Sequence, residues 1–141
     1  MYGQQLRNID DKNRVVMPPV FRDQLGSIFY LTIGFDGNAE LRSKNAYQEY
    51  VSIIENKSRF DAKVRTLSRY IMGNTFELTI DNQNRVMLPK LIIDQLSIQK
   101  EVIFVGVGSL VELWSKEKYD EITNKITGDD IAALAQLISE S

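Results

Sequence analysis

Apolar positions along the 141 residues switch between two spacings, and they do so twice in the same order. Val15-Val16-Met17 and Val86-Met87-Leu88 are short β-prone runs, and each is stopped by a proline, Pro18 and Pro89. Proline cannot continue a paired strand but suits the first turn of a helix, where its missing N–H costs nothing. Helical spacing follows, in Val20, Phe21 and Leu25 and again in Leu91, Ile92 and Leu96. Next come a strand over 28–33, a turn at Asp36-Gly37-Asn38 and a return strand over 39–42. Their counterparts are a strand over 101–105, a turn at Gly106-Val107-Gly108 and a strand over 110–114. Ser43 and Ser115 stand where a helix N-cap belongs, ahead of Ala46-Tyr47 and of Tyr119 and Ile122. Each half therefore reads β-β-α-β-β-α. Between the halves, Tyr50, Val51, Ile54, Val64, Leu67 and Ile71 predict helix over 48–72. At the tail, Thr127-Gly128 is a turn, and Asp129 or Asp130 caps a last helix with Ile131, Leu134, Ala135 and Ile138 on one face.

The repetition extends to individual residues. Ile9-Asp10-Asp11-Lys12-Asn13-Arg14-Val15-Val16-Met17-Pro18 recurs as Ile80-Asp81-Asn82-Gln83-Asn84-Arg85-Val86-Met87-Leu88-Pro89, an offset of 71. Gln24-Leu25 recurs as Gln95-Leu96 at the same offset. Glu40-Leu41-Arg42-Ser43-Lys44 and Tyr47 recur as Glu112-Leu113-Trp114-Ser115-Lys116 and Tyr119 at an offset of 72, one inserted residue later. Common order, spacing and end motifs identify two copies of one supersecondary unit.

Composition narrows the chemistry. The chain has no Cys and no His, which removes thiol nucleophiles, disulfides, thiolate or imidazole metal sites and His-centred triads. Paired carboxylates such as Asp10-Asp11 and Asp129-Asp130 read as turn and helix caps rather than acid–base pairs. Gly106-Val107-Gly108-Ser109 lacks the Lys-Ser/Thr ending of a phosphate loop. Nothing suggests an enzyme, a cofactor or a metal. No apolar run approaches the roughly 20 residues of a membrane span, and the N-terminus lacks a signal-peptide core, so the cytoplasm is the expected compartment.

Charge at first argues against nucleic acid, since 17 Lys+Arg against 19 Asp+Glu leave a net −2. The total hides an asymmetry. Residues 1–75 hold 11 basic and 8 acidic side chains, net +3, and residues 76–141 hold 6 and 11, net −5. The more basic half carries Lys12-Asn13-Arg14. A second basic stretch, Lys57, Arg59, Lys63, Arg65 and Arg69, reads as a solvated helix face, and Trp114, Tyr47 and Tyr119 as packing residues.

Asp-x-x-Asn-Arg is the most distinctive duplicated segment. Asp can accept from the backbone two residues on, Asn tolerates the left-handed region, and the turn suits a reversal between two strands. Asp10 and Asp81 would shape the turns and aim Arg14 and Arg85, whose guanidinium forks match phosphate or guanine.

The doubled Asp-x-x-x-Arg unit, each followed by Pro, a helix and a hairpin ending in Glu-Leu-x-Ser, resembles the MraZ family. The likeness runs from Met1-Tyr2-Gly3 to about Tyr119 and includes Lys100-Glu101-Val102-Ile103-Phe104-Val105-Gly106 and Glu112-Leu113-Trp114. It implies a bacterial transcriptional regulator, likewise nucleoid-associated, made of two swapped-hairpin units related to AbrB and SpoVT. The implied fold is α+β, mainly β, in which the duplicated units form one pseudo-symmetric, double-psi-type barrel with flanking helices. The implied domains are a first repeat over 5–47, a helical connection over 48–75, a second repeat over 76–119 and a helical tail over 120–141. It further implies closed rings that bind double-stranded DNA at short promoter direct repeats, upstream of a cell division and cell wall gene cluster containing their own gene. Lys12, Asn13, Arg14, Asn84 and Arg85 become the expected DNA-contacting residues, with Asp10 and Asp81 as turn-shaping partners. Asn13 and Asn84 replace the glycine usual before the motif Arg, and Gln83 stands where the first turn has Lys12. A non-enzymatic oligomeric scaffold that does not bind DNA is the competing expectation.

Overall fold

Strands of one copy pair with strands of the other, and this exchange organises the molecule. A computed structural model describes all 141 residues. The first copy contributes β1 (Tyr2–Asn8), β2 (Arg14–Val16), α1 (Pro19–Leu25), β3 (Ile28–Ile33), β4 (Ala39–Ser43) and α2 (Lys44–Glu55). After α3 (Ala62–Gly73), the second contributes β5 (Phe76–Thr79), β6 (Arg85–Met87), α4 (Lys90–Leu96), β7 (Glu101–Val107), β8 (Val111–Ser115) and α5 (Lys116–Asn124), with α6 (Gly128–Ser139) at the tail. The α+β expectation holds, with the strands at the centre.

Six antiparallel strands form a sheet in the order β1-β7-β8-β4-β3-β5. Each copy keeps its own hairpin, β3–β4 or β7–β8, and takes its outer strand from the other copy, β5 on β3 and β1 on β7. The two edge strands then run through the Asp-x-x-Asn-Arg turns into β2 and β6, which pair only with each other. This ribbon bridges the two edges and closes the structure.

The expected reversals occur, with a difference in pairing. The turns do reverse the chain, but β1 and β2 do not form a hairpin with each other, nor do β5 and β6, because each finds its ladder in the opposite copy. β7 also continues to Val107, through the expected turn, because Met1 and Tyr2 pair alongside. There Gly106 is required: a Cβ would stand 2.5 Å from the Tyr2 nitrogen.

One core draws on both copies, with Phe21, Phe29, Leu31 and Leu41 packed with Ile92, Phe104, Val111 and Leu113. Val20 and Leu91 do not join it; α1 and α4 bury only Phe21 and Leu25, and Ile92 and Leu96. Ser43 and Ser115 cap α2 and α5, accepting from the backbone N–H of Ala46 and Lys118.

The expected helix over 48–72 is two helices. Residues 56–61 are polar except for Phe60, which remains 97% exposed, and Asp61 accepts from the Lys63 N–H to start α3 afresh. The new phase buries Ser68 and Ile71 and leaves Leu67 in solvent. At the tail the cap is Thr127 rather than an aspartate. Its hydroxyl accepts from the Asp130 N–H while the Asp130 carboxylate accepts from the Thr127 N–H.

A shared core should unfold once. Phe104→Ala should cost about 3–5 kcal/mol and leave a single denaturant transition. Two separate transitions would show that each copy folds alone.

Candidate nucleic-acid interface

Each turn is built around one carboxylate. Asp10 Oδ1 accepts from the backbone N–H of Lys12 at 2.9 Å and of Arg14 at 2.8 Å, and Oδ2 accepts from Arg14 Nε at 2.9 Å. Asp81 does the same with Gln83 at 2.8 Å, Arg85 N at 2.9 Å and Arg85 Nε at 3.0 Å. The backbone closes both loops, with Asp10 N–H donating to the Arg14 carbonyl and Asp81 N–H to the Arg85 carbonyl, each at 2.8 Å. Asn13 and Asn84 lie in the left-handed region at φ 62° and 65°, where Asn is the best-tolerated residue after Gly.

These contacts aim the arginines. With Nε held by aspartate, neither Nη of Arg14 or Arg85 makes an internal hydrogen bond, so the outer fork of each guanidinium is free. Both arginines are half-buried, which restrains their stems. The backbone N–H donors of Arg14 and Arg85 are the main cause that holds the carboxyls of Asp10 and Asp81 below the usual carboxylate range, assisted by the guanidiniums.

The ribbon carries the two turns at opposite ends of one face. Its register is Arg14↔Met87, Val15↔Val86 and Val16↔Arg85. The ladder continues through Met17 N–H to the Asn84 carbonyl and Leu88 N–H to the Asn13 carbonyl, each 2.8 Å. Side chains alternate, so Val15, Met17, Val86 and Leu88 enter the core while Arg14, Val16, Arg85 and Met87 share the outer face. Arg14 and Arg85 are diagonal neighbours, roughly 7–8 Å apart at Cα.

A family model described as "MraZ protein, putative antitoxin-like" matches residues 1–70 and again 71–138. The chain belongs to the MraZ family. It is 44% identical over 131 residues to "Transcriptional regulator MraZ" of Mycoplasmopsis synoviae, covering 90% of this chain and 89% of that one. The protein of the same name from Mycoplasma mobile is 44% identical over 124 residues, 88% and 85% of the two chains. That of Mycoplasmopsis pulmonis is 38% identical over 141 residues, 100% and 96%. MraZ proteins carry the name of transcriptional regulators, not of enzymes, in keeping with a chain that has neither Cys nor His.

All the candidate residues of this MraZ chain fall on the two turns and the ribbon joining them. Lys12 is exposed at the tip of the first turn; the carbonyls of Asn13 and Asn84 accept the ladder bonds from Leu88 and Met17, and Asn84 Oδ1 is buried without a partner. The second basic stretch lies elsewhere, on and before α3. Lys57, Arg59, Lys63 and Arg69 are solvated, while Arg65 donates to the carbonyls of Arg59 and Phe60 and ties down the segment before the helix. Trp114 packs edge-on against Tyr119 and Tyr47 stacks on Tyr30, as expected of packing residues. Val16 and Met87 belong to the outer face, although the sequence marks them simply as strand residues. The alternation Arg-Val-Val-Met, with the first Val of the pair inside, is the signal that could have found them.

The aspartates set a pH window. Their folded-state pKa values lie below the ordinary 3.8, so their contribution to stability is complete above that value and is lost as pH falls through the folded values. The destabilisation caused by Asp10→Ala, read by thermal unfolding, should be constant from about pH 8 to 5 and shrink only below about 4. A change centred near neutrality would contradict this assignment.

Proposed function

We propose that this protein is a sequence-specific, double-stranded-DNA-binding transcriptional regulator. In this reading it represses a cell division and cell wall gene cluster that includes its own gene, and it works in the cytoplasm at the nucleoid. The observation that carries this reading is the pair of aspartate-aimed guanidinium forks, free at both Nη atoms and displayed on one face. A guanidinium fork grips a phosphate or the O6 and N7 of guanine bidentately. Asp10 and Asp81, which would repel phosphate, are occupied in holding the arginines. Lys12 adds a third positive charge, and no helix of the protein is long and apolar enough to cross a membrane.

Three positive groups per subunit make a weak DNA ligand, so affinity must come from assembly. We propose a closed ring whose subunits engage successive direct repeats. Linked contacts of this kind gain roughly 10²–10⁴ in avidity, and head-to-tail contacts keep one orientation around the ring, as direct rather than inverted repeats require. The tail supports self-association: Ile131, Leu134, Leu137 and Ile138 of α6 are all exposed, and no residue of that helix is buried. An oligomeric scaffold that does not bind DNA would share this surface but would have no use for the forks.

Arg14→Ala should cut affinity for the DNA just upstream of the protein's own gene at least tenfold in a mobility-shift titration, with the melting temperature little changed; unaltered binding would remove Arg14 from the interface. Scrambling all but one repeat of that DNA should abolish the shifted complex at concentrations that saturate the intact site. Full retention on a single repeat would favour a monovalent contact.

A further inference from the structure

The outer face of the ribbon holds more than arginine. Val16 is 44% exposed and Met87 60% exposed, and each stands directly opposite an arginine, Val16 across from Arg85 and Met87 across from Arg14. Hydrogen-bonded positions alternate along an antiparallel pair. The bonds from Leu88 N–H to Asn13 and from Met17 N–H to Asn84 therefore make the two outer pairs non-hydrogen-bonded ones, whose side chains stand closest. Two apolar side chains thus project between two cationic forks, in a patch with a charged rim. The same chain buries the flanking Val15, Val86, Met17 and Leu88 almost completely, so the ribbon had ample apolar contact available on its inner face.

The occupant of this face can be named by chemistry. Asp10, Asp11 and Asp81 balance the charges of Lys12, Arg14 and Arg85, so it is the free Nη donors that select the ligand. They call for paired anionic or carbonyl acceptors such as phosphate or the O6 and N7 of guanine, and a two-stranded antiparallel ribbon fits the DNA major groove, about 12 Å wide. Arginines some 7–8 Å apart on the diagonal span about two base-pair steps of 3.4 Å. Between them the groove floor offers one apolar feature, the C5-methyl group of thymine. A phosphate-only contact would place no demand on the central positions, where polar side chains would be better solvated.

We propose that Val16 and Met87 are specificity-determining residues, whose side chains contact thymine methyl groups lying between the bases or phosphates gripped by Arg14 and Arg85. This inference rests on the DNA-binding reading above and assigns the ribbon face itself, not only its terminal turns, to base recognition. The two pseudo-equivalent rows, Arg14–Met87 and Val16–Arg85, would address positions about two base-pair steps apart in one groove with similar chemistry and unequal reach, since Met is longer and more adaptable than Val.

The test compares two versions of the promoter fragment just upstream of the gene, one with thymine and one with uracil throughout, which pairs identically but lacks the methyl group. Wild-type protein should bind the uracil fragment more weakly, by about fourfold for each thymine methyl that Val16 or Met87 touches. The Val16→Ser/Met87→Gln variant should bind both fragments equally. It keeps both arginines, so its salt dependence should match the wild type. Equal wild-type affinity for the two fragments would overturn the proposal, as would a variant that keeps the wild-type preference. A variant with a shallower salt slope would also overturn it, by showing that these residues merely prop the arginine stems. If wild type binds neither fragment, the DNA-binding reading itself fails and this inference falls with it. The first three failures leave that reading standing.

Discussion

Pairing between β2 and β6 is the constraint on which the rest depends. These strands of three residues each are the only ones that pair with nothing but their counterpart, and they join the two edges of the six-stranded sheet. Their inner side chains, with those of the residues that follow them, are Val15, Met17, Val86 and Leu88, and these fill the core between the copies. Their outer side chains form the candidate interface. Because side chains alternate along a strand, burying the inner set obliges the outer set to face solvent, and a one-residue slip would exchange the two. The register that closes the fold is therefore the register that displays Arg14 and Arg85.

Duplication explains how so small a surface acquires two-fold character. Both turns use the same carboxylate geometry, with corresponding bonds of 2.9 and 3.0 Å to Nε. Left-handed Asn at the fourth position lets the chain reverse within the reach of one Asp side chain. The copies then diverge in charge: the first turn keeps Lys12 where the second has Gln83, and the surplus of basic residues lies in the first half. The two forks are equal in geometry and unequal in their electrostatic surroundings.

Much of this is legible in the residues, and for physical reasons. Repeated motifs, prolines that end strands and serines that cap helices are local signals, and local hydrogen bonding obeys them. Strand partners are not legible, since a ladder between Arg14 and Met87 joins residues whose neighbours say nothing of each other. The break at 56–61 escapes helical periodicity because apolar residues on either side sit near helical spacing, and only the polar run and the Asp61 cap mark the restart. The turn-shaping geometry of Asp10 and Asp81 follows from Asx chemistry alone. The exposure of Val16 and Met87 does not, because it depends on which face of the ribbon meets the core.

Two guanidinium forks acting on a polyanion are the heart of the proposed function, and salt dependence reads them directly. Affinity for the upstream DNA should be measured from about 50 to 200 mM salt for wild type, for Arg14→Ala and for Arg85→Ala. Each phosphate contact removed should lower the log–log slope by about 0.9, and a contact to a base edge should reduce affinity while leaving the slope nearly unchanged. Either result for both arginines supports the ribbon as the DNA-facing element. Wild-type slope and wild-type affinity in both variants would contradict it.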